Sequence, residues 1–118
     1  MKPNGFTLLE LLVALAVFSI AALALLRLEA VSVATAADLR AREGAMLVAE
    51  NEAARLSTDA ASPPLGSATR RARNGGRTFI VQTVATPTPD PRLIRIDLAV
   101  RADDAPGLVR LTLVRRAQ

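Results

Sequence analysis

Glu10 is the residue whose position demands most of chemistry. It is the only ionisable side chain between Lys2 and Arg27, and 16 consecutive uncharged residues follow it, Leu11 to Leu26. As a helix, the 21 residues from Phe6 to Leu26 rise about 31 Å, close to the ~30 Å hydrocarbon thickness of a bilayer. The uncharged 16 alone reach only about 24 Å. A full span therefore draws Glu10 into or near the membrane, where a carboxylate at depth costs on the order of 2.5 to 3.5 kcal/mol. That cost requires a compensating interaction.

Other chemistry finds little support. The chain of 118 residues has no Cys and no His, so the thiolate and imidazole ligands of ordinary metal sites are missing, as are disulfides and the usual nucleophile and base pairs. Serines without a His or a plausible Lys base make nucleophilic catalysis improbable, and Gly75-Gly76 lacks the context of a phosphate loop. Asp90, Asp103 and Asp104 do not follow the carboxylate spacing of a calcium loop and suit turns better. No catalytic residue, metal or cofactor is expected. Formal charge is +4, and 14 of the 15 cations are Arg, which permits anionic partners without choosing among them.

Three readings of the N-terminal block compete. A secretory signal peptide would use Lys2 as its basic region and Ala22-Leu23-Ala24 as its cleavage site, but Glu10 fits such a segment badly. A capping box would place Thr7 at the N-cap and Glu10 three residues into the helix, with Phe6 and Leu11 as a hydrophobic staple. In the third reading, Gly5-Phe6-Thr7-Leu8-Leu9-Glu10 and the apolar run Leu11 to Phe18 resemble the class III signal of type IV pilins and type II secretion pseudopilins. That resemblance implies that a prepilin peptidase cuts after Gly5 and N-methylates Phe6, leaving 118 minus 5, or 113, residues. The new amine at Phe6 lies one helical turn from Glu10, and in a staggered array of helices the carboxylate of one subunit can pair with the amine of its neighbour. In a low dielectric, leaving either charge alone is strongly unfavourable, so the pair sets register more than it adds stability. Lys2 marks the cytoplasmic side, which puts everything after Arg27 in the periplasm.

The elements that must position this segment follow. Leu28, Val31, Leu39, Met46, Ala49, Ala53 and Leu56 recur at spacings of 3 and 4, interrupted by Thr35 and Arg42, and no Pro occurs between Phe6 and Leu56. One helix of 51 residues, about 76 Å long, is expected, with its second half covering a small sheet. Gly44 costs roughly 1 kcal/mol within it and could mark a bend. Ser57 to Thr78, rich in Ser, Pro, Gly and Arg, reads as a loop in which Arg70, Arg71, Arg73 and Arg77 concentrate charge. A nucleic-acid patch there would lack aromatic stacking platforms, so a solvated loop is the better reading and no nucleic acid is expected. Three β-like runs follow, Thr78 to Val84, Leu93 to Val100 and Leu108 to Val114. The last two alternate cleanly and are joined by a loop containing Asp103, Asp104, Pro106 and Gly107, while Pro87, Pro89 and Pro91 exclude a strand and mark an extended connector.

Ala49-Glu50-Asn51-Glu52 running to Leu56, Thr88-Pro89-Asp90-Pro91 before Leu93-Ile94-Arg95-Ile96, and the apolar sequence Ala14 to Leu26 are similar to the I-type minor pseudopilins of type II secretion systems. One departure is the first strand region, Thr78-Phe79-Ile80-Val81, where that family usually carries tryptophans. The resemblance implies an α+β, pilin-like fold: a long N-terminal helix, transmembrane in its first half, on an antiparallel sheet of about three strands. Its organisation would be a leader (1–5), a transmembrane and assembly helix (6–26), a periplasmic amphipathic half (27–57), an Arg-rich loop (58–77) and a β-region (78–118). It further implies a non-enzymatic inner-membrane subunit at the tip of a pseudopilus that supports export of folded proteins. Its partners would be prepilin peptidase, the J-, K- and H-type minor pseudopilins and the major pseudopilin. Ala14, Ala21 and Ala24 would let helices approach closely in the membrane, and Val31, Leu39 and Met46 are candidate partner-helix contacts. A minor type IV pilin for DNA uptake or adhesion, and a freestanding anchored domain that keeps its leader, are the alternatives.

Overall fold

The computed structural model describes residues 5–117. It contains one helix, α1 (Leu8–Thr58), followed by four strands, β1 (Gly66–Asn74), β2 (Arg77–Pro87), β3 (Leu93–Ala102) and β4 (Leu108–Arg116). The chain divides into two compact units, Met1–Ala36 and Ala37–Gln118, and α1 runs from the first into the second. Lys2 and all of the expected leader except Gly5 lie outside the described residues.

The start of α1 is built as its sequence requires. Thr7 N donates to Glu10 Oε2 at 2.9 Å, Glu10 N donates to Thr7 Oγ1 at 3.2 Å, and Leu11 N donates to Thr7 O at 3.1 Å. This is the reciprocal capping box: two of the orphan amides at a helix start are satisfied, and the carboxylate sits at the positive end of the helix dipole. The helix has the expected 51 residues, displaced by two positions at each end from Phe6 to Leu56.

In the second unit the four strands form an antiparallel meander in the order β1-β2-β3-β4. Phe79, Val81 and Ala85 of β2 and Ile94, Ile96, Leu98, Val100 and Ala102 of β3 are buried on one face, joined by half-buried Val109, Leu111 and Leu113 of β4. The period-2 alternation read from β3 and β4 is therefore the face that meets α1. The hairpin between those strands is as expected. Pro87 is the last residue of β2, a strand end where its missing donor is tolerated.

The sheet has four strands rather than three. β1 occupies the middle of the stretch expected to be an Arg-rich loop, and it pairs with β2 from Gly66 opposite Ala85 to Asn74 opposite Arg77. Gly75 and Gly76 close the hairpin with φ of 59° and 76°, the left-handed conformation that a two-residue turn needs at both positions. β1 is an edge strand with only Ala72 half-buried, so it carries no hydrophobic alternation, and its turn residues are the signal that was overlooked.

The helix meets the sheet with only part of the expected stripe, Ala49, Ala53 and Leu56. Its buried positions are Ala41, Ala45, Val48, Ala49, Glu52 and Leu56, with Ala53 packed beside them. Leu28, Val31, Leu39 and Met46 of the expected stripe are exposed. Small side chains bring the helix close to large ones on the strands, and Gly44 extends that contact: a Cβ there would stand 2.7 Å from Phe79 Cζ. Gly44 thus serves close approach to the Phe79 ring. Arg42, expected to interrupt the stripe, lays its aliphatic stem against buried Gly107 in the β3–β4 loop, where a Cβ would stand 2.5 Å from Arg42 Cγ. Replacing Gly44 by Val should destabilise the domain by about 1–3 kcal/mol despite the loss of a helix-weakening glycine, because the Phe79 ring is buried and has little room to move. Thermal unfolding of the detergent-solubilised protein should show it as a lowered midpoint, with Gly44→Ala intermediate.

Candidate assembly site

The candidate processing site is sterically open. No atom lies within 4 Å of the place a Cβ would occupy at Gly5, and Phe6 is 84% exposed. Glu10 holds the cap through Oε2, while its other carboxylate oxygen makes no hydrogen bond among the described residues. From Leu8 onward none of the apolar side chains of the first unit is buried, and Ser19 donates to Leu15 O at 2.7 Å, which keeps the run free of unsatisfied hydroxyls. By length and composition this helix can cross a membrane. Ala14, Ala21 and Ala24 are exposed along it.

Val31, Leu39 and Met46 are also solvent-facing, as are Val33 and Leu47. In the second unit the helix turns its alanines, Val48 and Leu56 toward its own sheet and leaves Leu39, Met46 and Leu47 outside. Runs of exposed large apolar groups of this kind mark contact surfaces.

A cluster of charges that sequence reading missed fastens the end of the helix to the sheet. Glu52 is the only buried ionisable side chain among the described residues, 4% exposed. Arg55 Nη2 donates to its Oε1 at 2.6 Å from the next turn, and Arg70 of β1 donates to both carboxylate oxygens. Arg70 reaches it because strand alternation turns it inward with Ala72, opposite Val81. Burial pushes the Glu52 carboxyl up, but hydrogen bonds from Arg55 and Arg70 and their charges outweigh it, leaving the group below its ordinary value. At the opposite edge of the sheet, Arg115 of β4 donates to the carbonyls of Leu56, Asp59 and Ala61. It supplies a donor and a positive charge to the carbonyl end of the helix, where both are favourable. The four arginines of the expected loop thus separate: Arg70 holds Glu52, Arg77 pairs with Asp104 at 3.3 Å, and Arg71 and Arg73 point to the other face. Of the three aspartates weighed for calcium, Asp104 is held by Arg77 and Asp90 by Arg92.

A long helix with a capped acidic start, and an antiparallel meander against its second half, define a pilin-like subunit, and residues 1–26 match the prokaryotic N-terminal methylation motif. Residues 39–116, about two thirds of the chain, match the family described as Type II secretion system (T2SS), protein I. The chain belongs to that family and is a type II secretion pseudopilin, a structural subunit of the secretion system. No curated protein matches it. The family and the apolar helix together fit a single-pass inner-membrane protein. At the departure from the family's tryptophans, Phe79 fills the buried position against Gly44.

Because the folded carboxyl of Glu52 titrates below its ordinary value of 4.5, its contribution is complete above that pH and is lost as pH falls through the lowered value. Glu52→Gln should therefore cost about 1–2 kcal/mol at neutral pH, a figure reduced for the two half-exposed arginines, and should flatten the fall in stability on acidification. Chemical denaturation between pH 7 and pH 3 checks both. Arg115→Ala should cost about 1 kcal/mol with little pH dependence over the same range.

Proposed function

We propose that this pseudopilin is a minor, I-type tip subunit that primes the pseudopilus and supports export of folded proteins across the outer membrane. The observation that carries the reading is the division along α1: mostly small residues, with Val48 and Leu56, face the chain's own sheet while the large Leu39, Met46 and Leu47 face outward. A helix satisfied by its own domain would bury its largest apolar groups first. Leaving them outside suits a subunit whose core is completed by other helices, here those of the J- and K-type minor pseudopilins, with the H-type and the major pseudopilin following. Val31 continues the same exposed series toward the membrane segment.

In this proposal, residues 1–5 are the leader, removed by prepilin peptidase after Gly5, and Phe6 becomes the N-methylated first residue. Residues 6–26 anchor the chain in the inner membrane with its leader cytoplasmic and its C-terminal domain periplasmic. Glu10 then carries two duties. Oε2 closes the helix cap, and the other oxygen meets the Phe6 amine of an adjacent subunit, so that both charges enter the apolar medium as a pair. Residues 27–57 form the contact half of the helix. What was expected as a loop at 58–77 includes strand β1, so residues 66–116 act as one sheet domain. Of the four arginines a nucleic-acid patch would require, Arg70 and Arg77 are engaged with acids, and the family match lies with secretion, so the DNA-uptake pilin has the weaker support.

Intact mass of the mature protein should show loss of residues 1–5 and gain of one methyl group in cells with prepilin peptidase, and the full precursor in cells without it. Glu10→Gln should leave cleavage intact and reduce co-assembly and secretion at least tenfold, since an unpaired amine then remains in lipid. Unchanged secretion would reduce the segment to an ordinary anchor. Val31→Asp or Leu39→Asp should abolish co-purification with the J- and K-type subunits while leaving the thermal midpoint nearly unchanged, because neither side chain is part of the domain core.

A further inference from the structure

The face of the sheet turned away from α1 carries a charge pattern that neither folding nor helix assembly uses. Strand alternation places Arg71 and Arg73 of β1, Arg95 and Arg101 of β3, and Arg110 and Arg116 of β4 on this one face. The register sets Arg71 and Arg101 on either side of Ile80, about 10 Å apart across two strand spacings. Arg101 and Arg110 are diagonal neighbours on adjacent strands, since Arg101 lies opposite Leu108 and Ala99 opposite Arg110. The one acid among these outward strand positions is Asp97, and it is already occupied by Arg95 at 3.0 Å and by the Thr112 hydroxyl at 2.6 Å. Arg71, Arg73, Arg101 and Arg110 make no ion pair among the described residues.

Like charges on neighbouring positions of a sheet destabilise it, so an uncompensated cluster is a cost that the fold carries without return. The β2 positions between them, Ile80, Gln82 and Val84, carry no charge, and Gln82 and Val84 lie in a shallow groove lined also by Arg95, Arg110, Thr112 and the already paired Asp97. Exposed Leu108 and Val114 on β4 add apolar edges beside Arg110 and Arg116.

We propose that this outer face is a second interaction surface, distinct from the helix, and that it receives an acidic protein surface in a transient contact. The cations are all Arg, whose planar fork takes a carboxylate through two parallel hydrogen bonds, and Arg is the cation enriched at protein interfaces while Lys is depleted. A single-stranded nucleic acid would want aromatic platforms, and the face presents none. A bilayer surface would want Trp or Phe to insert beside the cations, and none is there. The area sets the lifetime: four strands at about 4.8 Å and nine residues at about 3.4 Å give about 600 Å², below the roughly 800 Å² per partner of a stable interface. Attraction is then mainly electrostatic, with a fast approach and a strong dependence on salt.

The test uses the full chain in nanodiscs of zwitterionic lipid and fluorescent polyglutamate as the probe. Binding should be present at about 50 mM salt and lost by about 300 mM. The double variant R101Q/R110Q should weaken it at least tenfold, whereas R40Q/R92Q, which removes the same net charge from elsewhere, should change it less than threefold. Equal weakening by the two pairs would reduce the effect to net charge and overturn the proposal. So would absence of polyglutamate binding, or tighter binding to phosphatidylglycerol vesicles or to duplex DNA at matched salt. Co-purification with the J- and K-type subunits should be unaffected by R101Q/R110Q, which separates failure here from failure of the helix-contact reading.

Discussion

Close approach between one helix and one sheet is the constraint on which the folded domain rests. Ala41, Ala45 and Ala49, with Gly44 against the Phe79 ring, let α1 sit on a bed of Ile, Leu, Val and Phe from β2 and β3. Alanines make up most of the helix side, so the greater part of the core's volume is supplied by the strands, with Val48 and Leu56 added from the helix. Leu39, Met46 and Leu47 of the helix are left outside, while Val48 and Leu56 are taken into the core.

Charge is distributed with the same economy. Arg70 and Arg115, from the two edge strands, turn inward at opposite sides of the sheet and fasten the last turns of the helix, one through Glu52 and the other through exposed carbonyls. An inward-pointing cation on an edge strand also discourages pairing with a stray strand. Glu10, at the start of the helix, is engaged in its local cap. The buried acid, Glu52, is balanced within the domain by Arg55 and Arg70.

How far this was legible depended on whether the signal was local. The capping box, the 51-residue helix without Pro, the alternation of β3 and β4 and the turn between them are all set by neighbours a few residues apart, and each was readable. β1 was not, because an edge strand made of Gly, Ser, Thr, Asn, Arg and two alanines shows no apolar period, although Asn74-Gly75-Gly76 carried the turn signature of a hairpin. The buried face of α1 was legible in part: Ala49, Ala53 and Leu56 of the apolar stripe are on it, whereas Leu39 and Met46 are not, because close packing against the strands takes the small side chains of Ala41 and Ala45 instead.

The sequence by itself determined that Glu10 stands alone in an apolar run with a glycine-phenylalanine step ahead of it, because those facts need only composition and spacing. It also determined the helix, its cap and the alternation of the later strands. Only the tertiary structure decided which helix face turns inward, that Arg70 meets Glu52 across 18 positions, and that Arg115 reaches the end of the helix across 59. Those contacts depend on strand register and on the closeness of two elements, and neither is encoded in any short stretch of chain.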